Sequence, residues 1–188
     1  MGALRARLAS ANPHKLEELR AALPDWDLSL LGELEYPDET GASYEDNARA
    51  KARFGLLLNH AGGWVLGEDS GIEVAALGGE PGIHSARWAG GGDPVQALLE
   101  RLGDAEDRRA RYVCCLVAAS TEGEELLGRG VLEGTVAREA RGSEGFGYDP
   151  VFVPRGEERT VAELGDAWKR QHSHRARAAA ALREQVGG

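Results

Sequence analysis

Hydrophobic and polar positions along the chain form two kinds of pattern. Short runs that are continuously apolar, or apolar at every second position, predict strands. They cover residues 4–9, 26–31, 64–66, 72–74, 111–119, 125–130 and 131–138. Segments with apolar residues at helical spacing follow a capping residue and predict helices near Pro13, Ser43, Asp93, Thr160 and Ser173. Strands and helices are therefore predicted along the whole chain, and residues 111–138 are predicted to form an antiparallel meander.

Two adjacent acids, Glu68 and Asp69, lie between the apolar runs 64–66 and 72–74. The flanking glycines, Gly67 and Gly71, predict a tight turn between two strands. Neighbouring carboxylates repel each other unless a cation lies between or beside them. Carboxylate oxygens suit Mg²⁺, which usually takes one or two of them and leaves its other positions to water and phosphate. The alternative is an ordinary solvated turn, so the interpretation depends on the rest of the chain.

The first predicted strand runs into a polar turn and a helix N-terminus. Asn12 is a favourable N-cap and Pro13 a favourable first helical residue. Lys15 then falls in the first helical turn, after Ser10. Backbone N–H groups, polar side chains and one ammonium could together bind a phosphate. The segment lacks the glycines of a Walker loop, and a plain strand-to-helix connection is the alternative.

Lysine is scarce in this chain. Of 22 basic residues only Lys15, Lys51 and Lys169 are lysine, so Arg is preferred wherever either residue would serve. The remaining lysines therefore indicate places that require a compact ammonium. On the helix that Ser43 begins, one and a half turns contain Asp46, Asn47, Ala50 and Lys51, so some of these polar groups can face a common cleft.

Three further segments carry candidate chemistry. Asp38 and Glu39 are a second acidic pair, in a loop. Glycines on both sides of Phe146 would allow a flat ligand to approach its ring, and a hairpin with a packed Phe is the alternative. His174 and Arg175 place positive charge at the start of the last helix, where it opposes the helix dipole. That position indicates an anionic or carbonyl-bearing partner, although a solvated basic helix would look the same.

Composition and charge exclude several classes of function. At 188 residues the chain is long enough for one domain, covering residues 1–188, and a net charge of −9 argues against binding a nucleic-acid polymer. The N-terminus has no apolar segment of signal-peptide length, and the apolar run 112–119 is too short to span a membrane. Cys114 and Cys115 suit the core of a reduced cytoplasmic protein. A small anionic ligand stays possible, because a pocket can be locally basic.

These segments together resemble one family. Residues Ser10-Ala11-Asn12-Pro13-His14-Lys15 are similar to the Thr/Ser-x-Asn-x-x-Lys start of the inosine triphosphate pyrophosphatases, which remove non-standard purine nucleoside triphosphates. Residues 43–52 resemble the Thr-Phe-x-Glu-Asn-Ala-x-x-Lys-Ala helix of that family. Further matches follow in the same order at residues 68–72, 79–87, 145–150 and 173–175. Each motif is modest, but six in the right order are specific.

The resemblance implies a fold, a reaction and residue roles. The implied fold is α/β: an elongated, mixed, curved β-sheet flanked by helices, with two lobes and a central substrate cleft. The implied reaction is Mg²⁺-dependent hydrolysis of ITP, dITP and XTP to the monophosphate and pyrophosphate by a homodimer. Asp38 or Glu39 would bind the metal with Asp69, which would also accept a proton from the attacking water. The implied substrate contacts are Ser10, Ala11, Asn12, Pro13, His14, Lys15 and Lys169 for the triphosphate, Phe146, Gly147, Tyr148, Asp149, His174 and Arg175 for the base, and Ser70.

Two departures from the family motifs and two rival functions stay open. The family usually has Asp where this chain has Glu68, and Glu where it has Asp46. Which acids contact the metal directly, and which through water, is therefore open. One rival is a Maf-type nucleotide pyrophosphatase with another base preference, which the Asn12–Lys15 spacing disfavours. The other is a nucleotide sensor without turnover, which the intact acids disfavour.

Overall fold

The computed structural model describes residues 4–32, 36, 38–59 and 62–186. The strands are β1 (Leu4–Leu8), β2 (Trp26–Leu30), β3 (Trp64–Val74), β4 (Arg109–Ser120), β5 (Glu125–Val136) and β6 (Phe152–Pro154). The helices are α1 (Pro13–Ala22), α2 (Tyr44–Leu58), α3 (Pro94–Leu102), α4 (Val161–His172) and α5 (His174–Val186). Short 3₁₀ segments, Ala75–Leu77 and Gly82–His84, interrupt the glycine-rich loop after β3.

The strands form one six-stranded sheet in the order β2-β1-β3-β4-β5-β6. Strand β1 pairs in parallel with both β2 and β3, whereas β5 and β6 are antiparallel. The sheet is therefore mixed, and the predicted α/β class is confirmed. The elongated, curved and two-lobed form of the sheet stays a prediction.

The predicted turn at residues 67–71 is wrong, because β3 continues through it from Trp64 to Val74. A Cβ atom on Gly67 would lie 1.9 Å from the carbonyl oxygen of Ala48 and 2.6 Å from the backbone nitrogen of Ala52. Gly67 thus allows α2 to pack directly against the strand, a use of glycine that sequence cannot distinguish from a turn.

The prediction of two separate strands at residues 125–130 and 131–138 is also wrong, because the glycine at their boundary does not end a strand. Strand β5 is continuous from Glu125 to Val136. Cβ atoms on Gly128 and Gly130 would lie 2.2 Å and 2.0 Å from the carbonyl oxygens of Ala178 and His174. These glycines bring α5 close to the strand, and they do not end it.

The predicted helix starts are mostly confirmed. Asn12, Ser43, Asp93 and Thr160 each accept backbone N–H bonds at the N-terminus of their helix, and Thr160 forms a full capping box with Glu163. Ser173, predicted to cap the last helix, directly precedes α5 with an extended backbone, as an N-cap does, and its N–H also donates to the Lys169 carbonyl at the C-terminal end of α4. Lys169 therefore lies on α4.

The described residues divide into two compact units. The first lies within residues 1–69, 114–130 and 174–188, and the second within 70–113 and 131–173. The core of the first unit packs residues of α1 and α5 on the strands, including Leu8, Leu19, Leu66, Leu116 and Leu182. The core of the second includes Ile72, Leu98, Tyr112, Phe152 and Val161. Throughout the described ranges, no helix combines the length and hydropathy needed to cross a membrane.

Candidate functional site

The adjacent acids Glu68 and Asp69 point to opposite faces of β3. Side chains of successive strand residues alternate between the two faces of a sheet. Glu68 contacts Lys15 of α1 and Arg175 of α5, whereas Asp69 contacts Asn47 and Lys51 of α2. The two carboxylates therefore do not form one acidic pair, and each has its own cations.

Asp69 lies in a cluster with Glu39, Asn47 and Lys51, which we call the Asp69 cluster. The Lys51 ammonium donates to Asp69 Oδ1 at 2.9 Å and to the carbonyl oxygen of Glu68 at 3.1 Å, and it also pairs with the Glu39 carboxylate. Asn47 Nδ2 donates to Asp69 Oδ2 at 3.1 Å. Asn47 Oδ1 in turn accepts from the backbone N–H of Gly41 at 2.9 Å, which fixes the amide orientation. Asp69 is thus held on both oxygens.

The electrostatics of the Asp69 cluster suit proton transfer. Burial raises the pKa of Asp69 to about 6, against the opposing effect of the Lys51 ammonium. Burial disfavours the charged form of Lys51, but Asp69 and Glu39 outweigh it, so its pKa is raised above the ordinary value. At neutral pH both groups are charged, and a carboxylate with a pKa of about 6 is well placed to accept a proton from water.

Glu68 lies in a second group with Lys15, Glu18 and Arg175, which we call the Glu68 cluster. Glu68 Oε2 lies 2.6 Å from the Lys15 ammonium, and Glu68 Oε1 accepts from Arg175 Nε at 3.1 Å and Nη2 at 3.0 Å. Arg175 also pairs with Glu18. Burial disfavours the Glu68 carboxylate, but the charges of Lys15 and Arg175 outweigh it and hold its pKa well below the usual range. Glu68 is therefore an ionised, buried anchor for two cations.

The N-terminus of α1 is already partly satisfied by its own cap. Asn12 Oδ1 accepts from the backbone N–H groups of His14 at 2.9 Å and Lys15 at 3.3 Å. Ser10 Oγ accepts from the Asn12 N–H at 3.1 Å. A phosphate at this turn would therefore compete with these side chains for the N–H groups, and Lys15 supplies the nearby positive charge.

The second unit contains a cluster of Tyr112, Phe146, Asp149 and Lys169, the Lys169 cluster. The buried Lys169 ammonium donates to Asp149 Oδ2 at 2.7 Å and lies 4.5 Å from the centre of the Phe146 ring. The Phe146 N–H donates to Asp149 Oδ2 at 2.9 Å, and the Tyr112 hydroxyl donates to Asp149 Oδ1 at 3.2 Å. Residues 147–151 form a turn in the loop that connects the antiparallel strands β5 and β6, and Asp149 organises this turn.

Comparison with known proteins decides the family. The model of the Ham1 family matches residues 6–185 of the chain. This chain belongs to the Ham1 family. It is 45% identical to a dITP/XTP pyrophosphatase of Symbiobacterium thermophilum, covering 99% of this chain and 96% of that protein. It is 47% identical to a dITP/XTP pyrophosphatase of Mycobacterium tuberculosis, covering 93% and 91%. A solved Ham1 protein from Coxiella burnetii matches with a TM-score of 0.85 and 36% identity, covering 98% of both chains.

The resemblance predicted from the motifs is thus confirmed, and the structure distributes the predicted Ham1 site residues over both units. The first unit holds Ser10, Ala11, Asn12, Pro13, His14, Lys15, Asp38, Glu39, Asp69, His174 and Arg175. The second holds Ser70, Phe146, Gly147, Tyr148, Asp149 and Lys169. Glu39 joins the Asp69 cluster, whereas Asp38 is exposed.

Sequence reasoning left three residues out of the predicted site. Lys51 contacts both Glu39 and Asp69, Asn47 holds Asp69, and Glu68 holds Lys15 and Arg175. The scarcity of lysine did point to Lys51, and the helical spacing of residues 46, 47, 50 and 51 predicted only that some of them face a common cleft. The double role of Glu68 had no signal of its own, because it depends on where α1 and α5 pack.

Proposed function

We propose that this chain hydrolyses non-standard purine nucleoside triphosphates, namely ITP, dITP and XTP, to the monophosphate and pyrophosphate. Relatives named dITP/XTP pyrophosphatases support the substrate class and the reaction. The observation that carries the proposal is the Asp69 cluster, in which a buried carboxylate with a pKa of about 6 lies beside an ammonium and a second carboxylate. Asp69 accepts the proton of the attacking water, and Asn47 keeps its carboxylate oriented.

Mg²⁺ is the metal that the Asp69 cluster fits. Across the described ranges, His, Cys, Asp and Glu side chains form no group of three or more that could hold a metal. Mg²⁺ needs only one or two carboxylates, because water and substrate phosphate supply its other ligands. Glu39 and Asp69 both contact the Lys51 ammonium, so a single cation can reach both carboxylates. When bound, the metal neutralises phosphate charge and lowers the pKa of water.

Separate residues bind the two parts of the nucleotide. Lys15 at the N-terminus of α1 and Lys169 on α4 neutralise the triphosphate, together with polar groups of residues 10–14. Phe146 stacks on the purine, while Arg175 and His174 bind its polar edge. Hypoxanthine and xanthine carry a carbonyl at position 6, which can accept a hydrogen bond from Arg. Adenine carries an amino group there, which is itself a donor and cannot pair with Arg.

The protein acts as a homodimer in the cytoplasm. The homodimer rests on the family resemblance, and the cytoplasmic location rests on the free, buried cysteines Cys114 and Cys115. Analytical ultracentrifugation of the purified protein tests the homodimer: a single species of twice the chain mass is expected, and a monomer at micromolar concentration contradicts it.

The experiment for the activity is a substrate panel with product identification. ITP, dITP, XTP, GTP, ATP and a pyrimidine triphosphate are each incubated with the protein and Mg²⁺, and the products are separated by ion-exchange chromatography. We expect pyrophosphate and the monophosphate from the first three substrates. The Asp69→Asn protein, prepared identically, controls for contaminating phosphatases.

Three results would contradict the proposal in different ways. Orthophosphate and a diphosphate would show the wrong cleavage position. Preference for GTP, ATP or the pyrimidine triphosphate would favour a nucleotide pyrophosphatase with another base preference, such as one of the Maf type. Binding of ITP without any product would favour a nucleotide sensor.

A further inference from the structure

Glu68 is buried, and it contacts two cations that come from different helices. Its relative exposure is 1%, and that of Arg175 is 2%. One carboxylate oxygen faces the Lys15 ammonium of α1 at 2.6 Å, and the other accepts both a Nε and a Nη2 bond from Arg175 of α5. An ionised carboxylate in such a position constrains both side chains, because breaking either contact leaves a charge buried without its partner.

Glu68 does not share the surroundings of Asp69. The described contacts of the Glu68 side chain are to Lys15, Arg175 and the Cys114 thiol, on the face of β3 that packs against α1 and α5. Those of the Asp69 side chain are to Asn47 and Lys51 of α2. The direction of the Glu68 side chain therefore argues against its serving as a second metal-binding carboxylate beside Asp69.

We propose that Glu68 is a positioning residue that holds Lys15 for the phosphates and Arg175 for the base at the same time. The inference rests on the proposed roles of Lys15 and Arg175. Both side chains are long, and each would lose rotamer freedom on binding a ligand. A fixed carboxylate between them orders both before the nucleotide arrives, so one residue supports recognition of both parts of the substrate.

The first test measures the two parts of the nucleotide separately. Pyrophosphate and inosine monophosphate are titrated into wild-type protein and variants by calorimetry, in one buffer containing Mg²⁺. Lys15→Met should weaken pyrophosphate binding alone, and Arg175→Met should weaken inosine monophosphate binding alone. Glu68→Gln should weaken both by about tenfold, the effect usual for residues that orient direct ligand contacts. Glu73→Gln is the matched control, because Glu73 lies on the same strand and pairs with Arg111; it should leave both affinities unchanged.

A second variant covers the case in which Glu68→Gln does not fold. Glu68→Asp keeps the charge but withdraws the carboxylate by one methylene, about 1.5 Å, so it cannot hold both cations at their present positions. We expect a loss of about threefold in both affinities. In steady-state kinetics with ITP, KM should rise by a similar factor while kcat stays within twofold, because the loss is of binding and not of a reacting group.

The possible failures are distinguishable. Wild-type affinity for both ligands in a folded Glu68→Gln or Glu68→Asp protein, with the Lys15 and Arg175 variants weakened, overturns the positioning role alone. A fall in kcat with KM unchanged overturns it in favour of a role in the reaction. Wild-type affinity for pyrophosphate in Lys15→Met, or for inosine monophosphate in Arg175→Met, would show that the residue does not bind that ligand. Glu68 would then have no role in positioning both contacts. If the wild-type protein releases no pyrophosphate from ITP, the proposed function itself is wrong.

Discussion

Replacing Lys51 with Met tests how the Asp69 cluster is held before metal binds. Methionine keeps much of the length of the side chain and removes its ammonium. The carboxylates of Glu39 and Asp69 would then face each other without the cation that now contacts both. We expect a less stable metal-free protein whose stability responds more strongly to Mg²⁺.

The structure gives the size of the effect. Only 13% of the Lys51 side chain and 5% of the Asp69 side chain are exposed, so their contact is screened little by water. Removing one partner of a buried ion pair costs about 3–5 kcal/mol. We take the low end, about 3 kcal/mol, because Asn47 still donates to Asp69. For a chain of this size that corresponds to a fall in Tm of about 6–12 °C.

The assay is thermal melting in EDTA and then across a Mg²⁺ titration, at pH 8. The pH matters because the Lys51 charge lowers the pKa of Asp69. Without that charge the pKa of Asp69 rises further in the variant, and pH 8 keeps its carboxylate ionised in both proteins. Bound ligand stabilises the folded state in proportion to the logarithm of its concentration over Kd. In wild-type protein the Lys51 ammonium would compete with Mg²⁺ for the oxygens of the proposed metal site, so the rise in Tm with Mg²⁺ should be larger in Lys51→Met.

Arg53→Met on the same helix is the matched control. The Arg53 side chain is 68% exposed and its guanidinium pairs with Glu125 at 3.7 Å, so its removal should cost about 1 kcal/mol at most. If Lys51→Met had the same Tm as wild-type protein in EDTA, the contacts of Lys51 to Glu39 and Asp69 would contribute no stability. Equal responses to Mg²⁺ in both proteins would show that Lys51 does not compete with the metal.

Three further predictions follow from other contacts. Asp69→Asn should lower kcat for ITP by about 10²-fold or more through loss of the general base, measured at saturating Mg²⁺ with circular dichroism as the folding control. Lys15→Arg and Lys169→Arg should each lower kcat/KM for ITP, because a planar guanidinium replaces a compact ammonium. Wild-type kcat/KM in both variants would refute the argument from the scarcity of lysine. Gly67→Ala should cost about 3 kcal/mol or more in urea unfolding, since its Cβ would overlap α2. Gly123→Ala, which has a positive φ of 93° but open space, should cost only about 1 kcal/mol, and an equal cost in the two variants would mean that packing on α2 does not require Gly67.

The predictable part of this fold is the part that local chemistry determines. The starts of α1 and α3 follow from Asn12-Pro13 and Asp93-Pro94, because a capping side chain and a proline act within one turn of the chain. The length of β4 follows from an unbroken apolar run. These elements need no information about distant residues.

The errors occurred where a glycine serves packing between distant segments. Gly67 and Gly130 look like turn residues in the sequence, yet each lies within a strand under the backbone of a helix. The helix that approaches Gly130 lies more than forty residues further along the chain. Local pattern cannot distinguish a glycine that bends the chain from one that admits a neighbouring helix.

The error at Gly67 also changed the interpretation of the candidate site. A turn would have pointed Glu68 and Asp69 toward common solvent, where they would repel each other or share a metal. A continuous strand sends them to opposite faces, so that neighbouring carboxylates can have separate partners. Because residue 67 is a glycine, α2 comes close enough for Asn47 and Lys51 to reach Asp69. One strand thus carries the proposed proton acceptor on one face and, on the other, the proposed anchor for Lys15 and Arg175, and the two acids contact different helices.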